Sequence, residues 1–128
     1  MREYHITTDE IKAYAPQLAA GDTVYLSGTV YTSRDAAHKR IAALLEKGEP
    51  TPYPIAGSVI YYAGPTPTPP GLAIGSCGPT TSGRMDVYTP ALLDLGLAAM
   101  VGKGPRSKAV CDAIVRNGAV YFCAGGGA

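Results

Sequence analysis

A chain of 128 residues is sized for one domain, and its net charge of +1, with lysine and arginine spread along it, offers no basic tract for nucleic acid or an acidic membrane surface. Folding buries roughly two-thirds of such a chain's surface, enough for one ordinary core. The longest apolar stretches fall well short of the ~20 residues that cross a bilayer, and Met1-Arg2-Glu3-Tyr4-His5 lacks the apolar core of a signal peptide, which predicts a cytoplasmic protein.

Residues 1–22 read as a lead-in, with a short helical piece near Asp9 to Tyr14 interrupted by Pro16 and a turn at Gly21-Asp22. Thr23 to Tyr31 is β-branched and aromatic and predicts one strand. Ser33 is placed to cap a helix in which Asp35 suits the positive end, Ala37, Ile41, Leu44 and Leu45 share an apolar face, and Gly48 is the stop. Ser58 to Ala63 predicts a second strand.

The segment from Gly64 to Gly71 carries four prolines and reads as a stiff connector, with Leu72 to Gly75 returning as a third strand. Thr89 caps and Pro90 begins a short helix through Leu95, ended by Gly96. Leu97 to Val101 predicts a strand, Ser107 caps a helix with Val110, Ala113 and Ile114 inward and Gly118 at its close, and Ala119 to Ala124 is the last strand. Strands and helices alternate, so the expected fold is α/β, a sheet covered by helices. A buried-type strand running into Gly125-Gly126-Gly127-Ala128 gives the expectation of a single domain, 1–128, incomplete at its C-terminal end.

The chemistry concentrates in Gly75-Ser76-Cys77-Gly78-Pro79-Thr80-Thr81-Ser82-Gly83-Arg84-Met85-Asp86. Glycines let backbone N–H groups turn toward a ligand, hydroxyls extend that concavity, and an arginine beside it adds a fork of donors matched to carboxylate or phosphate. This combination predicts a site for a small anion. Arg34, Thr80, Arg84 and Lys103 all follow expected strands, where open α/β sheets gather their sites. Arg34 opposes the helix dipole at a helix start, which favours a role beyond the surface.

Two arginines and a lysine suit a dianionic small molecule. Thr80 and Ser82 also read as ordinary turn hydroxyls, and His38 as a hydrogen-bonded residue at the edge of the core. Cys77, Cys111 and Cys123 are an odd set with no CxxC spacing; Cys111 and Cys123 are expected to be inert core thiols.

Tyr25 to Arg40, with its Thr32-Ser33-Arg34-Asp35-Ala36-Ala37-His38-Lys39-Arg40 run, closely resembles the β subunit of iron–sulfur hydro-lyases of the fumarate/tartrate type. Ile60 to Pro67, Gly78 to Asp86, Gly102 to Ser107 and Asn117 to Phe122 continue the resemblance in order, from about residue 20 onward. The Gly-Lys-Gly-Pro-Arg-Ser form is more similar to class I fumarase than to tartrate dehydratase.

That resemblance implies a swivelling β/β/α domain and reversible hydration of fumarate to L-malate. It implies a [4Fe-4S] cluster, acting as Lewis acid, held by cysteines of a separate α subunit or N-terminal domain rather than by this chain, which itself supplies no metal ligand. It places Arg34, Arg84 and Lys103, with Thr81 and Ser82, at substrate-binding positions and Thr80 at the position of a catalytic base. The implied partners are an α subunit and a small dicarboxylate, in a hetero-oligomer or, for the chain alone, a homodimer, without nucleic acid or membrane. The alternatives are a β subunit acting on tartrate or another 2-hydroxy diacid, and a non-catalytic anion-binding or interaction domain.

Overall fold

The lead-in begins with a strand. In a computed structural model, which describes residues 2–63, 70, 71 and 82–123, Glu3–Thr7 (β1) pairs in parallel with Thr23–Ser27 (β2). Ile6 is buried and Tyr4 half-buried, whereas Glu3, His5 and Thr7 are exposed, an alternation that leaves one face of the pair in water. The helical piece between them is shorter than expected. A 3₁₀ turn at Thr8–Glu10, in which Glu10 accepts from the Thr7 N–H at 2.8 Å, leads into Ile11–Tyr14 (α1), and a second 3₁₀ turn contains Pro16.

The expected single strand over 23–31 divides in two. β2 ends at Ser27, and Gly28 has φ +121°, a conformation that side chains resist; a Cβ there would lie 2.5 Å from Thr8 Oγ1. The chain turns, and Tyr31–Thr32 (β3) joins a different sheet.

That second sheet is fully parallel, in the order β3, Val59–Tyr61 (β4), Ala99–Gly102 (β5) and Val120–Cys123 (β6). Side chains alternate across it. Val59, Ala99, Val101, Val120 and Phe122 pack toward Ile6, Ile11, Val24 and Leu26 of the first layer. Ile60, Tyr62, Met100 and Tyr121 point the other way, into a core with Ile41, Leu92, Leu93 and Val110.

Those last residues come from the helices Asp35–Glu46 (α2), Thr89–Asp94 (α3) and Lys108–Asn117 (α4). The layers are therefore sheet, sheet, helices, a mixed α/β architecture. Because all four strands of the larger sheet are parallel, their carboxyl ends share one edge, and the segments after β3, β4 and β5 emerge together.

The helix ends depart from expectation where a hydroxyl has a better partner. Ser107 does cap α4, accepting from Val110 N–H at 3.4 Å, and Gly118 ends it. Thr89 instead donates to the Met85 carbonyl at 2.8 Å and is fully buried, so Tyr88 stands at the cap.

Cys111 and Cys123 are exposed rather than core: Cys111 lies on the outer side of α4 and Cys123 at the end of an edge strand. The expected strand at 72–75, most of the proline connector and Cys77 lie outside the described residues.

Candidate anion site at the strand ends

The first turn of α2 faces a cleft of about 500 Å³ at the carboxyl ends of β3 and β4. Thr32 lines it from β3, Ser33 from just after, Ala63 from beyond β4, and Arg34, Asp35 and Ala36 from the helix start, with Arg84 also among the lining residues. Arg34 occupies the cap position without a side-chain hydrogen bond, so among the described residues no capping side chain serves the first turn of α2. Two arginines and an uncapped helix start are groups suited to an anion.

Ser33 explains why that helix start is free. Its hydroxyl turns inward to His38 Nδ1 at 2.7 Å instead of capping α2, and its N–H extends the sheet by donating to the Tyr61 carbonyl at 3.0 Å. His38 Nδ1 also lies 3.1 Å from the Arg34 carbonyl, so a buried imidazole holds the backbone that presents Arg34. His38 is thus the hydrogen-bonded core residue expected from its place on α2.

Burial pushes the pKa of His38 below the ordinary histidine value, and the charge of Arg106 adds to the effect against the bond to Arg34. Its protonated form is therefore favoured in the unfolded chain. The stability that neutral His38 supports is complete above the unfolded value of about 6.5 and is lost as pH falls from there through the lower folded value. Thermal unfolding between pH 7.5 and 5 is expected to show a falling Tm, with a flatter profile in His38→Gln.

The remaining candidates are placed unequally. Arg84 is exposed and pairs with Asp35 at 2.8 Å, both side chains being half or more accessible, at 62% and 50%. A surface pair of this kind is worth ~0–1 kcal/mol, so an incoming carboxylate displaces Asp35 at little cost. Lys103 is exposed just beyond β5; its carbonyl accepts from Ser82 N–H at 2.9 Å, which puts it beside the Arg84 segment though not among the residues lining the cleft. Ser82 is fully buried and its hydroxyl is engaged with Tyr121 Oη at 2.7 Å, so in this conformation it faces the interior rather than a ligand. Thr80 and Thr81 lie outside the described residues.

Sequence reasoning passed over Arg106. Its side chain is 2% exposed, with Nε 2.8 Å from Asp86 Oδ1 and Nη2 3.0 Å from both Tyr62 Oη and Thr89 Oγ1. Its guanidinium lies over the rings of Tyr62 and Tyr121, at 5.0 and 4.8 Å from their centroids. The one available signal was an aspartate and an arginine each closing a glycine-rich segment.

A larger groove of about 950 Å³ runs between residues 18–26 and the outer strand β6. It has no lysine or arginine among its described lining residues, and its carboxylate, Asp22, already accepts from the N–H groups of Arg2 and Ala19. It does not suit an anion.

The family model for the fumarase C-terminus matches residues 1–128. The chain belongs to that family. This fumarase C-terminal domain is 42% identical over 120 residues to fumarate hydratase 2 of Leishmania major, covering 93% of the chain and 21% of that protein. It is 42% identical over 119 residues to the aerobic class I fumarate hydratase of Escherichia coli K12, covering 92% and 22%. The putative L(+)-tartrate dehydratase subunit beta of Methanocaldococcus jannaschii is 39% identical over 114 residues, covering 87% of the chain and 58% of the subunit. The chain thus spans about a fifth of the length of the fumarate hydratases it matches and just over half of the tartrate dehydratase subunit.

Proposed function

We propose that this fumarase C-terminal domain is the dicarboxylate-binding part of a hydro-lyase that interconverts fumarate and L-malate, in the manner of a β subunit. The observation that carries the reading is the cleft at the strand ends, where Arg34, Arg84 and the open start of α2 converge. Arg84 and Arg34 grip carboxylate oxygens, each charge-assisted hydrogen bond contributing ~1.5–3 kcal/mol, and Lys103 approaches from the neighbouring segment. When a proton leaves the carbon next to a carboxylate, negative charge grows on that carboxylate. Cations already held in place stabilise it without reorganising.

Thr80 is the proposed base; a threonine hydroxyl needs strong cationic help to act near neutral pH, and Arg34, Arg84 and Lys103 are the cations assigned to the site. Among the described residues, no three His, Cys, Asp or Glu side chains are gathered as metal ligands. In this reading the [4Fe-4S] cluster belongs to an α subunit of a cytoplasmic hetero-oligomer. Tartrate dehydration is the second reading, favoured by the similarity to tartrate dehydratase β subunits.

The test is an anaerobic assay of the chain with its cognate iron–sulfur polypeptide. Formation of L-malate from fumarate is expected. Oxaloacetate from tartrate, with no malate from fumarate, selects the second reading, and loss of both activities overturns the proposal.

A further inference from the structure

We propose that Arg106 is a positioning residue, which fixes the separation of Lys103 and Arg84 by clamping the two segments that carry them. The inference rests on the reading of those cations as carboxylate donors. Arg106 itself is sealed from the cleft, so it acts through what it holds.

The clamp is a closed set of bonds between the Ser82–Met85 turn with Asp86, on one side, and residues 102–107 on the other. Asp86 spends one oxygen on Arg106 Nε and the other on the Ser107 N–H, each at 2.8 Å. Nearer the cations, the Ser82 N–H donates to the Lys103 carbonyl at 2.9 Å. Tyr121 Oη donates to the Gly104 carbonyl at 2.8 Å and meets the Ser82 hydroxyl at 2.7 Å. Arg106 lies over that same tyrosine ring and over Tyr62, and reaches Thr89 at the start of α3. One planar group therefore ties both loops to the sheet and to a helix.

Charge alone cannot do this. A lysine at 106 keeps the positive charge and can reach Asp86, but its ammonium cannot satisfy Asp86, Tyr62 and Thr89 in the plane that the guanidinium forks across. The separation of Lys103 from Arg84 then loosens, and a rigid dicarboxylate is held by fewer groups at once.

Arg106→Lys and Asp86→Asn are tested with the cognate iron–sulfur polypeptide, with wild type in parallel, measuring kcat and KM for fumarate and the folded fraction by circular dichroism. KM is expected to rise about tenfold in Arg106→Lys and about threefold or more in Asp86→Asn, at normal folded fraction. A purely structural role would lower kcat in proportion to the folded fraction and leave KM alone. Asp86→Asn keeps volume and one acceptor, and carries the test if the lysine variant fails to fold. Wild-type KM in the folded variants overturns the inference while wild-type turnover stands; absence of wild-type turnover overturns the functional reading instead.

Discussion

Replacing Arg84 by alanine is expected to lower kcat/KM for fumarate about 10- to 100-fold and to move Tm by no more than about 3 °C. The two halves of this expectation have separate causes. Arg84 is 62% exposed, and its recorded partner, Asp35, is 50% exposed, so the ion pair between them contributes ~0–1 kcal/mol to folding. Under the proposed function, a substrate carboxylate bound to the same guanidinium and to the start of α2 would be worth ~1.5–3 kcal/mol, which gives the expected range in rate.

Arg84→Lys should fall between wild type and alanine, because it keeps the charge and loses the fork. Steady-state kinetics with the iron–sulfur polypeptide and calorimetry on the same preparations check both halves. A wild-type kcat/KM in Arg84→Ala removes Arg84 from the site.

Replacing Gly102 by alanine is expected to destabilise the fold by about 3 kcal/mol, seen as a Tm about 10 °C lower. Gly102 is the last residue of β5 and faces the helix layer. A Cβ there would overlap Ser82 Oγ and lie 2.8 Å from Tyr62 Cδ2. The serine has no free direction to move, because its hydroxyl is engaged with Tyr121, and Tyr62 is fully buried.

The methyl group therefore either pushes apart the segments carrying Arg84 and Lys103 or displaces a core ring. Activity should fall with stability in this variant, since the same contact joins the two cationic segments. Differential scanning calorimetry decides it, and a Tm within 2 °C of wild type would show that the methyl group is accommodated without displacing Ser82 or Tyr62.

Much of the fold was legible because its signals are local. The runs around Val59 and Ala99 are apolar on both faces, as strands covered on both sides must be, and Ser107 and Gly118 bracket α4 by rules that act within a turn. The failures share a cause. β1 is a short, half-polar strand whose partner lies beyond α1, so nothing in its own five residues marks it. The strand expected over 23–31 is broken because Gly28 passes against Thr8, a contact between segments. Ser33 and Thr89 gave up their capping roles to His38 and Met85, and Cys111 and Cys123 came to the surface because their faces of α4 and β6 are left uncovered.

For the site, the order of residues alone determined the chemical inventory: cations, glycines and hydroxyls placed just after apolar strands. It also placed the chain in a family, since ordered blocks of residues need no coordinates to be matched. What only the tertiary structure decided is how each of those groups is spent. Arg34 and Arg84 share an open cleft, Ser82 is turned inward, and Arg106, with the same charge as Arg84, is enclosed among Asp86, Tyr62, Thr89 and Tyr121. Propensity and periodicity act over a turn or a strand, whereas burial and pairing depend on segments far apart in the chain meeting at one place. An arginine's charge is written in the sequence; whether it meets solvent or a half-buried carboxylate is set by what folds over it.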